Sequence, residues 1–468
     1  MKTFSPKIIE ALRGYSKKQL ISDLVAGIIV AIIALPLSIA LAIASGVSPE
    51  RGLYTAVVAG FVIALLGGSR VNISGPTAAF ATIVAGIVAE YGIAGLAVAT
   101  LMAGAILILM GVLRLGTLIK YIPVTITVGF TSGIAVTIVI GQIKDFLGLS
   151  FAPGTNAVES MEKIEAIVES IGTFNPLALV TGLVALAILI LWPKVSKKIP
   201  GSLVAVLLIT VIVAISGLGV NTIGDLYSIS ASLPKFSLPS FEGLDILGLI
   251  PNAFTIAILA AIESLLSCVV SDKMIDDTHN SNTELIAQGA GNICSALFGG
   301  IPATGAIART AANVRNGGRS PISGIVHALV LLLVLVVLMP YAAFIPMPVI
   351  AAVLFMVAYN MSEWRHFVSI CKKAPVYETL VLVLTFLLTV VFDLVVAIVA
   401  GLAVHYGILL LRKYIEKRKS AVSAAASESA EEATEEAPVE SESSEEASEE
   451  APVESESAEV APTDEKSE

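Results

Sequence analysis

Apolar segments recur along the chain at roughly 22–45, 53–67, 75–92, 95–114, 120–142, 176–193, 201–219, 251–271, 282–298, 305–316, 321–340, 346–361, 376–392 and 393–412. A bilayer's hydrocarbon core is about 30 Å thick, which asks for about 20 residues of helix. No water inside it satisfies an open backbone, so such segments cross as helices. The pattern predicts an all-α polytopic membrane protein of about fourteen transmembrane segments, two of them short. Mean hydropathy of +0.89 with 14% charged residues excludes an ordinary soluble domain.

Basic residues set the orientation. Lys7, Arg13, Lys17 and Lys18 precede the first span, and Arg412, Lys413, Lys417, Arg418 and Lys419 follow the last. Cytoplasmic loops carry the excess of Lys and Arg, so both termini should be cytoplasmic and the count even. Arg114 and Lys120, then Lys194, Lys197 and Lys198, then Arg365, Lys372 and Lys373 fall on that same side. The loops at 143–175 and 220–250 fall outside. An even count divided into two sevens starts the second half from the opposite face, giving a 7+7 inverted repeat of the kind transporters use.

The polar stretch GGIPATGAIARTAANVRNGGR, Gly299 to Arg319, interrupts this apolar background. A helix over 305–316 rises roughly 18 Å, so it begins inside the membrane. Its first amides, around Ala306, Ile307 and Ala308, have no acceptor within the helix, and the helix dipole adds positive potential there. Anions bind such ends. Arg309 lies one turn in; it is either a boundary arginine snorkelling to the headgroups or, beside a broken helix, a substrate ligand, and the second reading fits its depth better. A second copy of the pattern lies upstream: ALLGGSRVNISG at 64–75 parallels ALFGGIPATG at 296–305, and Gly75-Pro76-Thr77 also opens a helix. Segments 3 and 10 are therefore half-helices whose positive ends face one anion.

Glu263 stands in the middle of AAIESLLSCVVSDKM, where a carboxylate needs a cavity, a cation or a proton. Ser267, four residues on, shares its helical face. With carbonyl oxygens near Thr304, these two could hold Na⁺, or Glu263 alone could carry H⁺; the plain alternative is a structural ion pair between Glu263 and Arg309. Asp272, Lys273, Asp276, Asp277, His279 and Glu284 read as a charged cytoplasmic loop, and His327 and His405 as hydrogen-bonded packing residues rather than a proton relay. No metal is expected beyond that Na⁺. Pro36 should bend the first span. No nucleotide-binding loop, nucleophile elbow or zinc spacing occurs, so the chain is not read as an enzyme and its transport runs on gradients. No basic face suggests nucleic acid.

The remaining segments are simpler. Residues 1–20 are basic and amphipathic, without a cleavage site, and read as a surface helix. Asn156 to Ser170 reads as an amphipathic helix on the outer surface. Cys268, Cys294 and Cys371 lack paired spacing and read as reduced. Residues 421–468 hold 17 acidic residues and one Lys of the 38 and 28 in the whole chain, so the membrane part carries a net charge of +6 although the whole carries −10. The segment 413–468 reads as a basic stub and a disordered acidic tail, since it cannot bury enough apolar surface to fold.

The long motifs carry a name. DLVAGIIVAIIALPLSIALAIASG followed by SGPTAAFATIVAG, and above all HNSNTELIAQGAGNICSALFGGIPATGAIARTAANVR with GGRSPISGIVHALVLL, resemble the sulfate permease (SulP) family in its bacterial branch, over about residues 20–412. That resemblance implies a core bundle from spans 1–4 and 8–11, a gate bundle from spans 5–7 and 12–14, elevator motion of one against the other, and a homodimer. Carried over by position, Thr77, Ala78, Ala306, Ile307 and Arg309 line the anion site, with Glu263, Ser267 and Thr304 handling the coupling ion. Two departures stand out: Leu37 follows Pro36 where the family commonly has Gln, and the acidic tail occupies the place of the usual STAS domain. The expected activity is secondary active transport of small inorganic anions across the bacterial plasma membrane, with sulfate first and bicarbonate or a C4-dicarboxylate as alternatives. An uncoupled channel or uniporter, and a membrane scaffold recruiting partners by its tail, are the rival readings.

Overall fold

The computed structural model describes residues 4–117, 123–155, 157–196, 199–392 and 394–435. Its helices, in order, are α1 (Lys7–Ala11), α2 (Lys17–Ala44), α3 (Pro49–Leu66), α4 (Ala81–Val112), α5 (Val124–Leu147), α6 (Ser160–Glu169), α7 (Pro176–Val195), α8 (Gly201–Ser216) and α9 (Ile223–Leu226). There follow α10 (Ile246–Ile275), α11 (Ser281–Leu297), α12 (Ile307–Arg315), α13 (Pro321–Leu338), α14 (Met347–Met361), α15 (Trp364–Lys373), α16 (Val376–Val391) and α17 (Leu394–Glu435). Two strands of two residues each, β1 (Ser74–Gly75) and β2 (Thr304–Gly305), pair antiparallel.

Among the described residues nine helices are long and apolar enough to cross a membrane, and α8 and α16 are shorter apolar helices. One of the nine, Ala78–Val112, contains a turn at Gly92, where φ is 66°. That glycine divides the run where the sequence separates two spans. The nine residues of α12 rise only about 13 Å, so it crosses less than half the hydrocarbon core.

The helices pack in two groups. In the first, α11 lies against α3 and α4, α10 against α4 and α12, and α13 against α2 and α3. Small residues permit this approach: a Cβ on Gly104 would stand 2.7 Å from the Gly289 carbonyl oxygen, so α4 and α11 touch backbone to backbone there. In the second group α14 lies against α5, α7 and α8, and α16 against α5. Contacts from α2 to α14 and α8, and from α4 to α5, join the groups.

These contacts lie within the unit that ends at residue 408, and the described residues 409–435 belong to a separate unit. Three boundaries differ from the sequence reading. The first twenty residues are not one surface helix: α1 ends at Ala11, and α2 begins at Lys17 because the Ser16 hydroxyl caps it by accepting the Gln19 N–H. The connection at 362–375 holds an amphipathic helix, α15. Helix also continues to Glu435 through the Ala- and Glu-rich start of the expected disordered tail, since Ala and Glu are strong helix formers. The rest of that tail, 436–468, lies outside the described residues.

Candidate functional site

The two copies of the sequence repeat meet. Ser74 pairs with Gly305 and Gly75 with Thr304, and the Ala306 N–H donates to the Ile73 carbonyl at 2.8 Å. This short ladder sets the start of α12 opposite the start of the helical run at Ala78. Residue 306 is Ala and has no side chain to cap α12, so among the described residues the amides of Ile307, Ala308 and Arg309 find no acceptor. On the facing segment the amides of Ala78 and Ala79 are likewise unpaired. Ile307 is 40% exposed, while Thr77 and Ala306 are half-buried and Ala78 is buried. Of the five expected anion-site residues, Ala306 is thus set against Ile73 and Arg309 against Pro76, the residue before Thr77, with unpaired amides at both helix starts.

Arg309 is buried, only 3% exposed. Its Nη2 donates to the Pro76 carbonyl at 3.0 Å, tying α12 to the residue just before Thr77. Its Nη1 has no acceptor and lies against Gly75, where a Cβ would come within 2.6 Å of it. A Cβ there would have to displace the guanidinium. Among the described residues Arg309 forms no ion pair, so its charge is uncompensated in the interior. The alternative of a structural pair with Glu263 is corrected: the Glu263 Oε2 instead accepts the Thr77 hydroxyl at 3.0 Å.

The expected cation ligands do not assemble as a set. Glu263 meets Thr77, but the Ser267 hydroxyl donates to Asn72 Oδ1 at 2.7 Å, and the Thr304 hydroxyl donates to the Ala260 carbonyl at 2.9 Å. Sharing a helical face with Glu263 does not bring Ser267 to the same partner, because Asn72 competes for it. The oxygen pair that forms is Glu263 with Thr77, the residue just before Ala78. Glu284, placed by sequence in a charged loop, lies instead in the first turn of α11 and is fully buried. Of its supposed companions, Asp272 takes a hydrogen bond from the His279 ring at 2.6 Å.

A cavity of about 610 Å³ between α4, α5, α6, α10 and α16 reaches Ala79 and Thr82, one residue beyond the site, with Glu90, Glu159 and Glu162 among its lining. The Thr82 and Thr137 hydroxyls, 3.4 Å apart, bridge α4 and α5 in its wall. The cavity thus lies along the seam between the two helix groups.

Comparison with known proteins agrees with this architecture. Residues 20–385 match the model of the sulfate permease family. The "Putative sulfate transporter YvdB" of Bacillus subtilis is 44% identical over 406 residues, covering 86% of this chain and 75% of that one. The "Bicarbonate transporter BicA" of a Picosynechococcus species is 36% identical over 395 residues, covering 82% and 69%. Among solved structures, the transmembrane domain of a cyanobacterial bicarbonate transporter BicA superposes with a TM-score of 0.75 at 33% identity, covering 82% of this chain and 98% of that one. The murine anion transporter Slc26a9 shares the fold at a TM-score of 0.79 and 19% identity.

Proposed function

Since the chain belongs to the sulfate permease family, we propose that it is a secondary active transporter of small inorganic anions in the bacterial plasma membrane. One observation carries the proposal: an uncompensated, buried guanidinium at the meeting of two helix starts whose amides lack acceptors. Positive charge and free N–H donors converge there, and the carboxylate beside them, Glu263, is held by the Thr77 hydroxyl rather than by Arg309. An anion is the ligand that such a place stabilises.

In this reading the backbone amides of Ala78 and Ile307 hold the anion and Thr77 and Ala306 line it, their own donors being taken by Glu263 and Ile73. Arg309 acts on it mainly as a charge, because its free Nη1 is turned against Gly75 rather than toward open space. Glu263 and the Thr77 oxygen form the place for the coupling H⁺ or Na⁺, and a cation bound there offsets the negative charge of an anion at the same threonine. Ser267 and Thr304 support the surrounding backbone. The first helix group is the moving core and the second the gate, in a fourteen-segment, inverted 7+7 arrangement with both termini cytoplasmic and two copies forming a homodimer. Small side chains at the helix starts allow close approach of one tetrahedral or planar oxyanion. Sulfate is the first candidate and bicarbonate the second, each the named cargo of a relative.

The test is uptake of labelled sulfate and bicarbonate into proteoliposomes under imposed proton and sodium gradients in turn. Uphill accumulation of one anion with one gradient is expected. No flux of either anion would refute the reading, and flux only down its own gradient would replace it with a uniporter.

A further inference from the structure

The carboxylate that organises the centre of the first helix group is Glu284. Its Oε1 accepts from Asn72 Nδ2 at 2.8 Å, from Gln288 Nε2 at 3.0 Å and from the Ser264 hydroxyl at 3.1 Å. Its Oε2 accepts the Gly68 N–H at 2.9 Å. Four donors from α10, α11 and the loop after α3 thus converge on one fully buried side chain. An ionised carboxylate is tolerated away from water when its lone pairs are taken by such charge-assisted bonds.

The direction of every bond beyond it follows. Asn72 turns its NH₂ toward Glu284 and, at 3.4 Å, the Ser264 hydroxyl, so its Oδ1 faces the other way and accepts from Ser267 at 2.7 Å and from Thr310 at 3.0 Å. Thr310, its proton given to Asn72, keeps a lone pair for the Ile73 N–H at 2.9 Å. The Ile73 carbonyl in turn accepts the Ala306 N–H that opens α12. A side branch runs from Gln288 Nε2 to the Ser74 hydroxyl at 3.0 Å.

We propose that Glu284 is a positioning residue for the anion site: its negative charge fixes the polarity of a hydrogen-bond relay through Asn72 and Thr310 that holds the two crossing segments in register. The proposal rests on the reading of that crossing as the anion site. Networks whose members each have one satisfied orientation are all or nothing. An amide at position 284 has to aim its NH₂ at donors: either at the Gly68 N–H, which then loses its acceptor, or at Asn72, Gln288 and Ser264, and in that orientation Asn72 turns over and Thr310 loses the acceptor that frees it to receive Ile73. The unpartnered Oε1 of Gln288 offers a way to repair this, since it can accept from such an amide when Asn72 is replaced by a carboxylate.

The experiment compares wild type, Glu284→Gln, Asn72→Asp and the Glu284→Gln/Asn72→Asp exchange in proteoliposome uptake and in detergent-solution melting. Glu284→Gln should raise the anion KM about ten-fold or more and lower Tm by about 5 °C or more. Asn72→Asp, which sets two carboxylates face to face, should be worse than either other variant. The exchange, which restores one charge with reversed polarity, should recover KM to within about three-fold of wild type and most of the lost Tm. If Glu284→Gln fails to fold, recovery of a folded, transporting exchange variant gives the same support. An exchange variant no better than Glu284→Gln, or a Glu284→Gln protein indistinguishable from wild type, overturns the proposal. The Tm order tests the relay even if wild type moves neither anion, so failure of the transport reading and failure of this one are told apart.

Discussion

Replacing Arg309 by Met keeps the length and apolar bulk of the side chain and removes its charge, with two effects of opposite sign. An ion left unpaired in a dry interior costs several kcal/mol after relaxation. The bond to the Pro76 carbonyl, at 3.0 Å, returns about 1.5–3 kcal/mol of that. The variant should therefore melt at a higher temperature than wild type. Binding moves the other way. Pro76 immediately precedes Thr77, so an anion held by the next amides lies roughly 7 Å from the guanidinium, about two residues of chain. At an effective dielectric of about 20, Coulomb's law gives about 2.4 kcal/mol for each unit of anion charge. That is about 60-fold in KM for a monoanion such as bicarbonate and about 3,000-fold for a dianion such as sulfate. Concentration-dependent uptake of both anions, with melting followed on the same samples, checks the whole argument. Equal losses for the two anions, or losses under about three-fold for both, would refute the placing of the anion beside this charge. A lower Tm would refute the claim that the charge is unpaired.

Gly75→Ala sets a Cβ 2.6 Å from Arg309 Nη1 and 3.5 Å from the Ala56 Cα, so it should cost about 1–3 kcal/mol of stability and raise the anion KM. Gly219→Ala, which meets nothing within 4 Å, is the matched control, and equal behaviour of the two would remove the steric argument. Glu263→Gln cannot take up a proton and should abolish gradient-driven accumulation while leaving downhill exchange of the same anion measurable; accumulation at the wild-type level would free this residue from any coupling role. Against the hydrogen-bonded role expected of it, His327 is buried with neither ring nitrogen partnered, so His327→Leu should stabilise the protein by about 1–3 kcal/mol, and a fall in Tm would show that the ring has a partner.

The spans were legible because apolar length is set by the bilayer and owes little to tertiary detail. The meeting of the two repeats was legible for a different reason: Gly75 and Gly305, with their Ser and Thr neighbours, recur in matching places, and β1 and β2 pair through those very residues. Partners were not legible. Ser267 shares a face with Glu263, but its hydroxyl is claimed by Asn72, 195 positions away in sequence, and nothing local announces that competition. Glu284 was hidden by the charged loop before it, although Glu284, Gln288, Asn292 and Ser295 recur at three- and four-residue intervals and so mark one polar face of α11. All four are fully buried, which inverts the usual expectation that a polar helix face looks to water. The helix α15 was passed over because its apolar residues, Trp364, Phe367, Val368 and Cys371, fill too short a stretch to register as a span.

The pairing of Ser74 with Gly305 joins residues made at very different times. A ribosome adding about 5–20 residues per second needs roughly 10–50 s to travel from one to the other. Through that interval the nascent first half sits in the bilayer with β1 unpaired and Asn72 lacking the partners that α10, α11 and α12 later supply. The early chain must therefore shelter those polar groups in some other way, by water drawn into the half-built bundle or by the insertion machinery itself. Any substitution that lengthens the wait, such as a slow-inserting α10, should expose that half to membrane proteolysis before the finished transporter exists.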